Sequence, residues 1–173
     1  MEAIYATDIN NGLSKNGVIP WHSAKDLKFF YNTTKNNVVI MGKNTYFSLP
    51  ENIRPLSNRL NIVLSREPDI NKYNRKHNNL IFTNDSNIYK TILDDRANYK
   101  KLYPFLSDDF KIFIIGGKNI YEQFMPLCNV IWRTIIKKNY NCDLFFEYDY
   151  NNYRDKEIIE EDDKITIYKY VSL

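Results

Sequence analysis

The stretch Ile112 to Phe124, "IFIIGGKNIYEQF", runs from a short apolar segment through two consecutive glycines, Gly116 and Gly117, into a helix-like segment. A brief apolar run bounded by Gly reads as a buried strand, and the residues beyond it read as a helix. Gly lets backbone approach a ligand closely and adopt geometry that other residues hold only at a cost. Packing of a helix on a strand accounts for one Gly easily. Two in succession fit a ligand cradle better.

The same punctuation recurs outward from this point. "VVIMGKNT" (38–45) leads from a strand through Gly42 into Lys43, Asn44 and Thr45, which places a cation, a hydroxyl and free N–H groups where a phosphate is favoured. "AIYAT" (3–7), "LNIVLS" (60–65), "LIFT" (80–83), "KIFII" (111–115) and "VIWRTII" (130–136) read as further strands. Helices are expected after Ser23, after Gly42, from about Asn84 to Asp95, and after Gly117. This alternation predicts an α/β fold of three layers, a central, mostly parallel twisted sheet with helices on both faces. The final run, "TIYKYVSL" (166–173), is expected as an antiparallel strand, separated from "VIWRTII" by a long acidic loop. "NKYNRKHNN" (71–79) and "YDYNNYRDKE" (148–157) read as polar surface loops. In open sheets of this kind, ligands bind at the carboxyl ends of strands.

A length of 173 residues suits a single domain, 1–173. The net charge of +3 is spread among acids, which argues against a nucleic-acid surface and remains compatible with a small anionic ligand. No apolar run approaches the roughly 18 residues of a membrane span. The start of the chain lacks the pattern of a secretory signal, so a cytoplasmic location is expected. Cys128 and Cys142 have neither metal-ligand nor redox spacing and read as reduced packing residues. No G-x-G-x-x-G follows the first strand and no P-loop is present, so a bound dinucleotide needs a different arrangement.

"GVIPWHSAKDLKFF" (17–30) holds the residue of greatest chemical interest. Ser23 to Asp26 is a capping-box pattern, which by itself explains an acid at the third helical position. Asp26 also shares a helix face with Phe30, four residues on, flanked by Leu27 and Tyr31. Its carboxylate therefore leans toward an apolar wall, where a charge is expensive unless something pairs with it. A ligand carrying N–H donors would satisfy it. Capping and function stand at even odds on spacing alone.

Taken together, "GVIPWHSAKDLKFF", "VVIMGKNTYFSLP", "RPLSNRLNIVLSRE", "IIGGKNIYEQF" and "RTIIKKNYNCDLFF" resemble the dihydrofolate reductase family, in order and spacing over nearly the whole chain. The resemblance implies NADPH-dependent reduction of 7,8-dihydrofolate by a monomer that needs no metal, nucleic acid or membrane. It implies that Asp26 is the sole ionisable group in the pterin pocket, supported by Thr134, with Trp21 positioning water. Ile4, Tyr5, Ala6, Leu27, Phe30, Leu49, Leu56 and Ile115 are implied around the substrate, and Arg59 on its glutamate α-carboxylate. For NADPH it implies Ala6, Leu13, Gly42, Lys43, Asn44, Thr45, Leu64, Ile115, Gly116, Gly117, Lys118, Asn119, Ile120 and Tyr121, with Ser65 and Arg66 on the 2′-phosphate. Ser14, Tyr46, Lys118, Asn119 and Leu144 depart from the usual pattern. The competing readings are a related NADPH-dependent pyrimidine reductase and a catalytically silent binding relative.

Overall fold

The structure, a computed structural model, describes residues 1–67, 71–74 and 77–172. The strands are β1 (Glu2–Asp8), β2 (Gly12–Ser14), β3 (Val38–Gly42), β4 (Leu60–Leu64), β5 (Leu80–Thr83), β6 (Ile112–Ile114), β7 (Val130–Ile136), β8 (Leu144–Phe145), β9 (Tyr153–Glu161) and β10 (Ile165–Ser172). The helices are α1 (Ala24–Thr34), α2 (Lys43–Ser48), α3 (Asn71–Asn74), α4 (Ile88–Asp94), α5 (Arg96–Leu102) and α6 (Lys118–Phe124). Eight strands form one sheet in the order β5-β4-β3-β6-β1-β7-β10-β9. Pairing is parallel from β5 through β7 and antiparallel at β7–β10 and β10–β9.

The continuous apolar runs have a direct physical cause: the central strands are covered on both faces, so both sets of alternating side chains must be apolar. Val38, Ile40, Leu60, Ile62, Ile112 and Ile114 pack on one face with Ile92 of α4 and Tyr121 and Phe124 of α6. Their neighbours Val39, Met41, Val63 and Phe113 pack on the other, with Phe29 and Phe30 of α1 and Tyr46 of α2. The two faces are thus occupied by different helices, as the alternation of elements implies.

Three expectations need correction. The helix expected over 84–95 begins at Ile88, because Asp85 and Asn87 are tied into a turn by Asn87 N–H donating to Asp85 Oδ1 at 2.9 Å. Beyond Asp95 the chain starts a second helix, α5. Most of the acidic segment is β9, an exposed edge strand whose charges hide any apolar alternation. Its backbone bonds come from β10, the next strand, with which it forms a hairpin across residues 162–164. "YDYNNYRDKE" therefore enters a strand at Tyr153. In "NKYNRKHNN", Asn71–Asn74 is helical, and residues 75 and 76 lie outside the described residues.

Candidate active site

The sheet opens between β1 and β6. These strands pair only at Glu2↔Phe113 and Ala3↔Ile114, whereas β1 and β7 stay paired to Asp8↔Ile136. At this boundary α1 leaves β1 over one face and α6 leaves β6 over the other, which creates a crevice at the carboxyl ends of the strands. Tyr121 spans it, its hydroxyl donating to the Ile4 carbonyl at 2.9 Å.

Ser23 caps α1, its hydroxyl oxygen accepting the Asp26 backbone N–H at 3.2 Å. The Asp26 carboxyl is half-buried and accepts a hydrogen bond from the Thr134 hydroxyl of β7. Burial pushes its pKa upward and dominates, while the Thr134 bond opposes the shift by favouring the ionised form. Ala6 and Thr134 are direct partners in the β1–β7 register, which puts Thr134 beside the crevice. Trp21 is buried with Ile136, Ile165 and Ile167, and Ala6 and Phe29 pack against that cluster.

Arg59 is 4% exposed, yet among the described residues no carboxylate pairs with it. Its Nη1 donates to Thr34 Oγ1 at 3.1 Å and its Nε to the Ser57 carbonyl at 2.9 Å. The guanidinium carbon lies 5.7 Å from the Phe30 ring centre and 5.3 Å from that of Tyr31. Burial lowers its pKa to about 10, so it remains a cation at neutral pH. A buried, oriented guanidinium without an acid fits an incoming carboxylate.

The paired glycines have steric causes. Gly116 sits at φ +112°, and a Cβ there would meet the Tyr121 ring at 3.0 Å. A Cβ on Gly117 would approach Thr45 Oγ1 to 3.2 Å. The Gly116 carbonyl accepts from Gly42 N–H at 2.8 Å, joining the two glycine turns into one backbone cradle. Lys43 and Thr45 lie at its rim and are half-buried; Asn44 and Arg66 are exposed and Ser65 is buried. Lys43 is not free, because it forms an ion pair with Glu67. This cradle fits a nucleotide's phosphates: it supplies backbone, a hydroxyl and cations without side-chain bulk.

The predicted residues divide by face. Ile4, Phe30, Leu49, Leu56 and Ile115 belong to the α1 side, while Leu13, Leu64, Ile120 and Tyr121 belong to the α6 side. Lys118 is half-buried and Asn119 exposed at the start of α6. Leu27 is 55% exposed, at the open mouth. Tyr5 does not join the substrate set through its side chain: its ring packs on Tyr121 and Phe146 on the α6 side and its hydroxyl bonds that of Tyr150. Two departing residues, Ser14 and Leu144, turn out to be β2–β8 partners. Tyr46 packs edge-on against Phe47 and Phe82.

Two groups were missed by reading the sequence. Asp8, 1% exposed, accepts backbone N–H bonds from Asn10 (2.9 Å), Gly12 (2.8 Å) and Tyr140 (3.0 Å). Despite burial, those bonds hold its pKa below the ordinary carboxyl value. Arg133 lies next to Thr134 on the opposite face of β7. Neither carries a motif, since their partners come from distant segments. Both cysteines are free and buried, with thiols pushed up to about 12 at Cys128 and about 11 at Cys142, as packing residues require. Among the described residues no group of three or more His, Cys, Asp or Glu could hold a metal ion.

A crevice at the carboxyl ends of the strands, with a half-buried acid, a buried guanidinium that no carboxylate among the described residues pairs with, and a glycine cradle, suits an α/β protein that binds a small anionic ligand beside a nucleotide. A family model described as dihydrofolate reductase matches residues 1–172. The chain belongs to the dihydrofolate reductase family. It is 36% identical over 172 residues to the dihydrofolate reductase of Ureaplasma parvum, covering 97% of this chain and 96% of that one. It is 34% identical over 152 residues to that of Aedes albopictus, covering 83% and 76%. The dihydrofolate reductase of Enterococcus faecalis, solved in complex with NADP(H) and RAB-propyl, superposes with a TM-score of 0.70 at 26% identity, covering 99% of this chain and 95% of that one.

Proposed function

We infer that this chain reduces 7,8-dihydrofolate to tetrahydrofolate with NADPH, supplying one-carbon metabolism. The observation that carries the reading is Asp26: a half-buried carboxyl beside an apolar wall, held by Thr134 and with no cation paired to it among the described residues. The pterin's ring amide and 2-amino group supply the N–H donors that such a carboxyl lacks. Arg59 supplies the matching cation for the glutamate tail at the far end of the same apolar wall.

In the mechanism, NADPH when bound supplies the hydride for C6 of the substrate. Ile4, Phe30, Leu49 and Ile115 hold the flat ring, with Arg59 fixing the tail, so that the reacting atoms meet without a search over orientations. Asp26 holds charge against the ring amide and makes N5 easier to protonate from water. Thr134 keeps the carboxyl oriented, and Trp21 excludes bulk solvent while placing a water. Ser65 and Arg66 favour the 2′-phosphorylated cofactor over NADH.

A pyrimidine reductase of related fold is disfavoured by Arg59, because a ribityl phosphate substrate has no glutamate to pair with it. A silent relative would bind NADPH without turnover. The deciding experiment follows NADPH oxidation with and without dihydrofolate, and again with NADH. Folate-dependent oxidation that prefers NADPH supports the reading; tight NADPH binding without turnover overturns it. The same reading carries a monomeric state and a cytoplasmic location; among the described residues no helix is long and apolar enough to cross a membrane.

A further inference from the structure

We propose that Arg133 is a positioning residue that, through Asn11, fixes the β1–α1 connection (residues 9–23) carrying Trp21 to the active site. The proposal rests on the reductase reading for its kinetic consequence only. Successive β7 residues point to opposite faces, so while Thr134 holds Asp26, Arg133 lies with Tyr5, its register partner, on the α6 side. Its Nη2 donates to Asn11 Oδ1 at 2.6 Å and to Thr7 Oγ1 at 3.4 Å. Its carbon stands 5.8 Å from the Tyr5 ring centre, and it hydrogen-bonds the Tyr170 hydroxyl. Among the described residues no carboxylate pairs with it, and its Nε is buried without any partner.

A half-buried cation with an orphaned donor is a costly way to fill this position, which an apolar residue would fill without that penalty. The return on that cost is Asn11. This residue lies early in the connection, in the left-handed region at φ +63°, and besides its N–H bond to the Asp8 carbonyl it is held from three further directions. Its side-chain oxygen takes the Arg133 bond, its Nδ2 donates to Glu147 Oε1 at 3.2 Å, and its carbonyl accepts the Phe146 N–H at 2.9 Å. Asn11 thereby ties the connection to the segment after β8, while β2–β8 pairing continues the same seam. From the sheet, β1 holds this turn by its backbone, the Asp8 carbonyl accepting the Asn11 N–H at 3.2 Å, while Arg133 of β7 holds the Asn11 side chain. Removing Arg133 loses the tie that orients the Asn11 side chain without touching Asp26 or Arg59, so the reacting groups remain while the connection that carries Trp21 is held to the sheet less firmly.

The test is a double-mutant cycle of Arg133→Met and Asn11→Ala in the full chain, with thermal unfolding recorded for each. Each single change is expected to lower kcat by roughly 10-fold, in line with a sub-ångström to ångström misplacement. KM for dihydrofolate and NADPH should stay within about twofold. The combined variant should be no slower than the slower single variant, because both break one link. Multiplying losses, or a lowered Tm with unchanged kcat, would overturn the proposal. Should Arg133→Met fail to fold, Asn11→Ala on the loop decides alone through the same split of kcat from KM. A second readout needs no turnover: in a Trp132→Phe background, Trp21 emission should change equally in both variants. Unchanged emission sinks the proposal even if the chain proves to lack reductase activity.

Discussion

The Thr134 hydroxyl of β7 hydrogen-bonds the half-buried carboxyl of Asp26 on α1, joining two residues 108 positions apart in the chain across the mouth of the crevice. Burial raises the Asp26 pKa, and the Thr134 bond opposes the rise by favouring the ionised form. Asp26→Asn should lower turnover at neutral pH by roughly 10²–10⁴-fold. The residual rate should climb as pH falls, since the substrate then takes its proton from solution. Stopped-flow NADPH oxidation between acid and neutral pH checks both; an unchanged rate at pH 7 refutes the role.

Arg59→Lys keeps a charge but loses the planar fork, and the Thr34 and Ser57 bonds that orient it. KM for dihydrofolate should rise by about 10-fold or more, the equivalent of ~1.5–3 kcal/mol for a hydrogen bond to a charged group. A dihydropteroate lacking the glutamate should be affected little. Equal losses on both substrates would place Arg59 outside the tail site.

Gly116→Ala forces a side chain into φ +112° and against the Tyr121 ring at 3.0 Å. The strain is on the order of 1–3 kcal/mol. Relieving it displaces Tyr121 and with it the bond to the Ile4 carbonyl. Urea unfolding should show the lost stability, and NADPH titration a weaker Kd. A variant with unchanged cofactor affinity would remove this turn from the cradle.

Asp8 makes stability depend on acid. Its folded pKa is depressed, so its contribution is present above the ordinary carboxyl value of about 3.9 and is lost as pH falls through the lower folded value. Asp8→Asn cannot accept from Gly12, Asn10 and Tyr140 at once without turning an NH₂ toward a donor. It should cost about 1–3 kcal/mol at pH 7. Unfolding midpoints of the two proteins should converge below pH 4; a gap independent of pH contradicts the assignment.

What the chain declares by itself is local. Apolar runs bounded by Gly, the Ser23 cap and the i, i+4 spacing of Asp26 and Phe30 are properties of neighbouring residues, and strands β5 and β7 fall where those runs predict. The family motifs likewise lie in contiguous stretches, so the candidate site could be proposed from them. The tertiary structure decided what depends on partners far away in sequence. The β9–β10 hairpin joins the sheet only where β10 pairs with β7, well back in the chain, and the Tyr5 side chain turns to the α6 face because β1 alternates across a sheet with two covered faces. Asp26 is coupled to Thr134, and Arg133 to Asn11, only through the β1–β7 register and the turns it carries. Periodicity tells which residues share a face of one element; only the packed sheet determines which element that face meets.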